Sequence, residues 1–239
     1  MRIPPTIGDC SIVLVGPFSP SMFSPAWFLA REMCSEQEAA EATVNIIHNE
    51  WSSMRIGTKT VQAHEGRFSV ESSEAPWISL ADFLLKMLHD ALSATPVVQM
   101  GINRQVHFSV GSEEKRTLIG RRLAPLEPWG EWKSDLMRGA APIRSGLRSL
   151  VMQETKSPEG PMGGHIQARV EPSYAVARNT SIFVAVNDHY QLREPSKATD
   201  CSAMMEVLAT GFEPSIARSE WIIDQIMAVS EQEFGEAGR

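Results

Sequence analysis

Two charged residues occupy positions where the sequence pattern predicts apolar side chains. Arg104 interrupts an alternating strand pattern over residues 98–110, and Asp188 interrupts a second one over residues 182–190. A buried charge without a partner is costly, so each residue needs an opposite charge nearby. We predict that Arg104 and Asp188 form an ion pair that fixes the strand register. A catalytic role for the two is the less favoured alternative.

Polar side chains alternate with the apolar ones in the same predicted strands. If helices cover only one face of the sheet, these side chains line the other face. That face is either solvated or a binding surface built from amides, imidazoles and one Arg–Glu pair. The candidate binding residues are Asn103, His107, Arg169, Glu171, Asn187 and His189.

The usual catalytic and metal-binding motifs are missing from the sequence. It has no phosphate-binding loop, no His-Glu-x-x-His, no Cys-x-x-Cys and no Gly-x-Ser-x-Gly. The glycine-rich residues 160–165 lie between two predicted strands and indicate a hairpin turn. The six histidines are scattered, with no close pair on one element. We therefore expect no cofactor and no metal, and we favour a protein that is not an enzyme.

Residues 115–148 carry more basic than acidic side chains, although the whole chain has a net charge of −7. A negative protein repels a phosphate backbone, which disfavours nucleic acid as a partner. The segment is either a solvated face or a surface that docks an acidic protein partner. In the second case Arg121 and Arg122 would attract the partner, and Trp129 and Trp132 would anchor it.

Composition indicates an ordinary globular protein. The chain has 239 residues, of which 43% are hydrophobic, and no apolar run approaches the roughly 20 residues of a membrane span. Its first residues do not resemble a signal peptide. Three widely separated cysteines, Cys10, Cys34 and Cys201, argue against a disulfide scaffold. These features predict a cytoplasmic protein with no membrane contact.

The order of predicted elements repeats along the chain. Strand 11–15 precedes a helix that Ser24 caps, four short strands between residues 44 and 71, and a helix at 79–92. Strand 98–110 then precedes a helix at 112–122, three strands between residues 147 and 190, and a helical region after Asp200. Pro214 is expected to break or kink this last helix.

This repetition predicts a duplicated strand-helix-strands-helix unit, with halves at residues 10–94 and 95–229. The halves share one core, and a single domain is the alternative. The fold class is α+β, with an antiparallel sheet and helices mainly on one face. The element order resembles one half of the TATA-binding-protein fold. That resemblance concerns shape and implies no function.

Several short segments together resemble a known family. They are Pro25-Ala26-Trp27-Phe28, Gly101-Ile102-Asn103-Arg104, His107-Phe108, Arg169-Val170-Glu171-Pro172-Ser173 and Val186-Asn187-Asp188-His189-Tyr190. They resemble a family of uncharacterised, sporadically distributed bacterial proteins of about this length, over residues 10–221. No activity is established for that family, so the resemblance implies no catalytic residue. Its patchy occurrence suggests genes in exchangeable islands.

These observations favour a non-enzymatic protein-interaction or accessory subunit, of the kind found in mobile defence or toxin–antitoxin modules. The alternative is an enzyme or small-ligand binder that uses the polar sheet face. A weaker alternative is a nucleic-acid binder that uses residues 115–148. The expected partner is another protein, and a second copy of the chain is a further candidate.

Overall fold

The computed structural model describes residues 3–138, 146–157, 160–176 and 179–229. Their strands are β1 (Ile7–Val15), β2 (Thr43–Ile47), β3 (Trp51–Ile56), β4 (Lys59–His64), β5 (Arg67–Ser72), β6 (Gln99–Ser109), β7 (Leu150–Thr155), β8 (Met162–Pro172) and β9 (Ser181–Leu192). The α-helices are α1 (Pro25–Leu29), α2 (Glu36–Ala40), α3 (Ile78–Ala91), α4 (Glu113–Leu123), α5 (Lys133–Arg138) and α6 (Ser202–Ala228). Short 3-10 helices lie at Pro20–Met22, Glu127–Trp132 and Pro195–Lys197.

The nine strands form one antiparallel sheet in the order β2-β3-β4-β5-β1-β6-β9-β8-β7. The first strands of the two repeated units, β1 and β6, pair at its centre. The last strand of each unit lies next, so the order on one side of the β1–β6 pair mirrors the order on the other. The α+β class and the antiparallel sheet predicted from the sequence are therefore confirmed.

The helices that pack on the sheet lie on one face. Helix α3 contacts β1 and β5, α6 contacts β6 and β9, and α4 contacts β9. A first core cluster joins side chains of β1, β4, β5 and β6 to those of α3 and the first half of α6. A second cluster joins β6, β8 and β9 to α4 and the second half of α6. This arrangement buries the apolar side of each alternating strand and leaves its polar side facing away from the helices.

Local signals explain several element boundaries. The Ser24 hydroxyl accepts a hydrogen bond from the Trp27 backbone N–H at 3.1 Å, and Pro25 begins α1. Ser35 and Glu38 form a reciprocal capping box at the start of α2. The Ser112 hydroxyl caps α4 by accepting from the Lys115 N–H at 3.2 Å.

Helix α6 departs from the sequence prediction, because it runs unbroken through Pro214. Of the two expected outcomes, a break or a kink, the break is wrong. Phe212 and Ile223, on either side of the proline, are both buried against the sheet. Pro214 itself is exposed, so the hydrogen bond that it cannot donate is missing on the water-facing side, where water can satisfy the carbonyl.

Candidate binding face

We call the side of the sheet opposite α3, α4 and α6 the open face. The strand registers line up polar residues across it in rows perpendicular to the strands. One row crosses six neighbouring strands from β5 to β7 and comprises Glu71, Ser11, Asn103, Asn187, Gln167 and Gln153. Its last four members form the amide row. Amide groups both donate and accept hydrogen bonds, so the amide row offers both kinds of site.

A notch of about 190 Å³ opens in the next row, where Gly101 lies between Val13 of β1 and His189 of β9. Its remaining lining comprises Val15, Arg67, Gln99, Met100, Asn103 and Asn187. The notch exists because Gly101 has no side chain. A Cβ atom there would lie 3.0 Å from the Asn187 Oδ1 atom, which is closer than an ordinary van der Waals contact.

The Asn187 Oδ1 atom is buried and accepts no hydrogen bond from any described residue. Its neighbour Asn103 is engaged differently, because its Nδ2 donates to the carbonyls of Ser11 at 3.4 Å and Gly101 at 3.5 Å. A buried acceptor without a donor costs free energy. The floor of the notch therefore contains a buried acceptor for which the described residues provide no donor.

His189 forms one wall of the notch. Its ring lies 4.8 Å from the ring of His165 on β8, centroid to centroid. Burial lowers the pKa of His189, and the neighbouring His165 lowers it further. The imidazole is therefore neutral near pH 7 and supplies one donor and one acceptor rather than a positive charge.

The remaining three candidates lie farther along the strands, toward the other end of the open face. The Nδ1 atom of His107 lies 2.8 Å from the Ser173 hydroxyl, and burial lowers the pKa of His107. Arg169 lies 3.8 Å from Glu171 and stacks over the Phe183 ring at 5.5 Å. The six candidates thus share one face but form two groups. Asn103, Asn187 and His189 border the notch, whereas His107, Arg169 and Glu171 surround Phe183.

Arg104 and Asp188 both lie on the helix-facing side, where each contacts an opposite charge other than the predicted one. Arg104 is 3% exposed, and its Nη1 donates to the carbonyls of Asp9 at 2.7 Å and Gln105 at 3.1 Å. Its Nε lies 3.5 Å from Glu220 of α6. The register sets Arg104 opposite Val186 and Asp188 opposite Ile102, two residue pairs away, so the two charged residues are diagonal to each other.

Asp188 instead belongs to a cluster with Lys156 and Tyr190. The Lys156 ammonium group contacts the Asp188 carboxylate and lies 3.1 Å from the centre of the Tyr190 ring. The Tyr190 hydroxyl donates to Asp188 Oδ2 at 3.0 Å. Burial raises the pKa of Tyr190 and lowers that of Lys156. The Tyr190 phenol and the Asp188 carboxylate are therefore joined by a hydrogen bond and both contact Lys156, on the side of the sheet away from the open face.

The docking candidates lie around α4 and the 3-10 helix that follows it. Trp129 and Trp132 are 52% and 55% exposed, and their rings meet edge to face with centroids 5.6 Å apart. Arg121 is exposed, whereas Arg122 Nη1 donates to the Val229 carbonyl at 3.0 Å. The two tryptophans therefore form an exposed aromatic pair, whereas Arg122 is held by a hydrogen bond to the residue that follows α6.

Sequence reasoning missed three important residues. Glu220 lies on a helix whose position over the sheet no strand pattern reveals, and Lys156 directly follows the last residue of β7. Gly101 had a usable signal, because a glycine inside a strand pattern often marks a close approach or an open space. Its role depends on Asn187, whose position follows only from the β6–β9 register.

No group of three or more His, Cys, Asp or Glu side chains within the described ranges is arranged to hold a metal ion. No helix among the described residues is long and apolar enough to cross a membrane. No protein-family model and no curated protein sequence matches the chain. The geometry of the open face therefore carries the functional argument.

Proposed function

We propose that this is a binding protein whose open face holds an uncharged polar ligand at the notch over Gly101. The observation that carries the proposal is the buried, unsatisfied Asn187 Oδ1 at the floor of the notch. Native proteins leave few buried polar atoms without a partner, and those that remain require an explanation. A ligand N–H or O–H group supplies one by donating to this oxygen once the Asn187 amide turns toward the notch.

The lining supports binding rather than catalysis. Asn103, Asn187 and Gln99 carry amides, which hold a ligand by hydrogen bonds but have no proton that titrates near neutral pH. His189 is the titratable group of the wall, and burial keeps it neutral by lowering its pKa. Recognition by amides and a neutral imidazole suits a ligand that presents both donors and acceptors.

The charges around the notch also limit the ligand. Arg67 is the charged residue in the lining, and it is exposed. An exposed charge is screened by water and contributes little to affinity. The apolar walls of Val13 and Val15 complement the polar floor. An uncharged amide-bearing or hydroxyl-bearing group matches this combination, whereas a carboxylate would meet the Asn187 oxygen without a donor.

Ligand-observed NMR with small fragments tests the proposal. The probes are acetamide, glycerol and acetate, which represent an amide, a hydroxyl and a carboxylate group. We expect saturation transfer to acetamide and glycerol but not to acetate. Gly101→Ala, which places a methyl group 3.0 Å from the Asn187 Oδ1 atom at the floor of the notch, should abolish that transfer.

Gly163→Ala is the matched control for Gly101→Ala. Gly163 lies in β8, on the open face like Gly101, and an added Cβ there meets no atom within 4 Å. It should leave fragment binding unchanged. Equal binding by the wild type and Gly101→Ala, or preferential binding of acetate, would contradict the proposal.

A second candidate function is docking of a protein partner on the exposed Trp129–Trp132 pair. Monomeric proteins rarely expose two large aromatic rings in contact, and such pairs anchor interfaces. Loss of either ring should speed dissociation of a partner recovered from native cells, whereas Arg121→Ala should mainly slow association. Unchanged binding kinetics in all three variants would reject this role.

A cytoplasmic location is part of the proposal. Cys10 and Cys201 are buried free thiols and Cys34 is partly exposed. Burial raises the pKa of Cys10 to about 12, which keeps it protonated and unreactive. Mass spectrometry of protein alkylated in intact cells should find all three cysteines reduced, and a native disulfide would argue against this location.

A further inference from the structure

The sheet has two edge strands, β2 and β7, and they differ in regularity. The register between β2 and β3 shifts between Val44 and Ile46, which marks a bulge. The register between β7 and β8 is continuous over all six residues from Leu150 to Thr155. Bulges protect an edge from pairing with another chain, whereas a regular edge presents its N–H and C=O groups to one.

The repeated units also differ at these edges. In the first unit, β3 is flanked by β2 on its outer side, and most of its side chains are buried. In the second unit, β7 holds the corresponding position, yet no strand of the described residues flanks it. Five of its six residues are exposed. The second unit thus presents an outer edge where the first unit has an additional strand.

Exposed apolar groups surround the β7 edge. Val151 is 47% exposed and Met152 is 65% exposed. On the helix side, Arg218 of α6 donates to Glu154 at 2.9 Å and lies 4.4 Å from the ring of Trp221, which is 50% exposed. Arg218 therefore brings an exposed tryptophan close to the strand edge.

We propose that β7 pairs with β7 of a second copy of this chain, antiparallel and about a two-fold axis normal to the sheet. The two nine-stranded sheets then join into one continuous sheet, with both helix layers on the same side. An interface of this type is closed, because each copy uses the same edge and none remains for further growth.

The residue pattern of β7 is compatible with itself in this arrangement. A two-fold axis normal to the sheet places residues of the same face opposite each other, so the axis lies midway between the two copies of one residue. With Met152 at the axis, Met152 faces its own copy, Val151 faces Gln153, and Leu150 faces Glu154. Glu154, the charged residue of β7, then faces an apolar residue, and its carboxylate already forms an ion pair with Arg218 of the same chain.

This self-compatibility favours a second copy over pairing between unlike edges. Pairing of β7 with β2 of another copy would leave one free edge at each end and produce open-ended growth. The bulge in β2 opposes that arrangement. Like charges directly opposite each other destabilise strand pairs, and the register centred on Met152 contains none.

Sedimentation velocity on the full chain tests the proposal. We expect the fraction of dimer to rise reversibly with protein concentration over about a hundredfold range. Met152→Lys places two like charges at the axis and should weaken dimerisation by at least about tenfold. The matched control is Val44→Lys, a substitution of an exposed apolar residue on the bulged edge, which should leave the equilibrium unchanged.

Disulfide trapping determines the register. In a Cys34→Ser background, Met152→Cys should form a disulfide-linked dimer under mild oxidation, because each new cysteine faces its own copy. Gln153→Cys should not, since it faces Val151. A wild-type chain that stays monomeric at all concentrations would overturn the proposal. Dimerisation unaffected by Met152→Lys, or lost equally in Val44→Lys, would overturn it as well.

Discussion

Arg104 shows how a buried charge is accommodated in this fold. Its guanidinium group donates to two backbone carbonyls, pairs with Glu220 and lies 4.7 Å from the centre of the Trp77 ring. These contacts come from β1, from β6 itself, from α6 and from the residue before α3. One side chain thus connects both repeated units and both long helices.

We predict that Arg104 and Glu220 are energetically coupled and that Arg104 and Asp188 are not. Arg104→Ala should lower the free energy of unfolding by about 3–5 kcal/mol, because it removes a buried guanidinium group that donates to two backbone carbonyls and pairs with the partly exposed Glu220. Urea unfolding of single and double variants checks this. The loss in Arg104→Ala/Glu220→Ala should be smaller than the sum of the single losses, whereas Arg104→Ala/Asp188→Ala should be nearly additive. The opposite pattern would show that the sequence-based pairing is correct after all.

Asp9 makes stability depend on pH. Burial raises the pKa of Asp9 to about 6 from its ordinary value of 3.8, and the nearby Glu71 adds to the rise. Between these two values the folded protein binds more protons than the unfolded one, so stability falls as pH rises from about 4 to 6. The ionised form at neutral pH is therefore less stable than a neutral side chain would be.

Asp9→Asn should consequently stabilise the protein at pH 7, on the order of 1 kcal/mol after solvent screening of a partly exposed group. The advantage should vanish near pH 4. Denaturant unfolding of both proteins across this range measures the difference. The lowered pKa values of His107 and His189 make stability rise with pH. Both histidines are present in the wild type and in Asp9→Asn, so their effect cancels when the two proteins are compared. An advantage that grows toward low pH would contradict the assignment.

For individual residues, the sequence predicted which face of the sheet each side chain occupies, but not which side chains it contacts. Period-two alternation placed Arg104 and Asp188 on the helix-facing side and Asn103, Asn187 and His189 on the other, as the structure has them. It could not reveal that Glu220 contacts Arg104, because a helix crossing leaves no periodic trace in a strand. The contact of Lys156 with Asp188 depends on how β7, β8 and β9 are aligned. The notch likewise depends on a register that pairs β6 with β9.

Among the elements, β8 depends on an unusual glycine. Gly164 has φ +153, and a Cβ there would lie 2.0 Å from the backbone oxygen of His189. A backbone atom in a paired strand cannot move aside without breaking the β8–β9 ladder. This position therefore requires glycine, whereas neighbouring Gly163 has open space around it.

We predict that Gly164→Ala lowers the free energy of unfolding by more than about 3 kcal/mol and that Gly163→Ala changes it by less than about 1 kcal/mol. Thermal and denaturant unfolding of the two variants measures the contrast. The effect should extend to His189, because the displaced oxygen belongs to that residue. Its NMR signals should shift in Gly164→Ala, and equal stability of the two variants would refute the argument.

Element boundaries were predictable where local chemistry determines them. The strands between residues 43 and 72 and helix α3 agree with the expected ranges within one or two residues, because turns and periodicity mark them. Pro214 misled the prediction, because the tertiary packing of Phe212 and Ile223 on either side outweighs one missing hydrogen bond. Local propensity is a weak guide where a long helix is held by a core.

For the whole molecule, the two repeated units are joined at the sheet centre and in the core. Nine residue pairs join β1 to β6, from Ile7 opposite His107 to Val15 opposite Gln99. The first core cluster also contains Met204, Leu208 and Phe212 of α6, packed with side chains of β1 and α3. The first unit therefore completes its core with a helix supplied by the second.

We predict from this that neither half folds alone. A fragment of residues 1–94 would expose the edge of β1 and the apolar side chains that α6 covers, so it should show no cooperative thermal transition by circular dichroism. Residues 95–239 should behave likewise, because the partners of α6 in β1 and α3 are then missing.

Co-expression of the two fragments should restore a folded complex, since the break lies in the loop between α3 and β6. The intact chain is the control and should unfold in a single transition. A cooperative transition in the isolated 1–94 fragment would mean that the halves are separate domains, and that the α6 contacts contribute little to the first core.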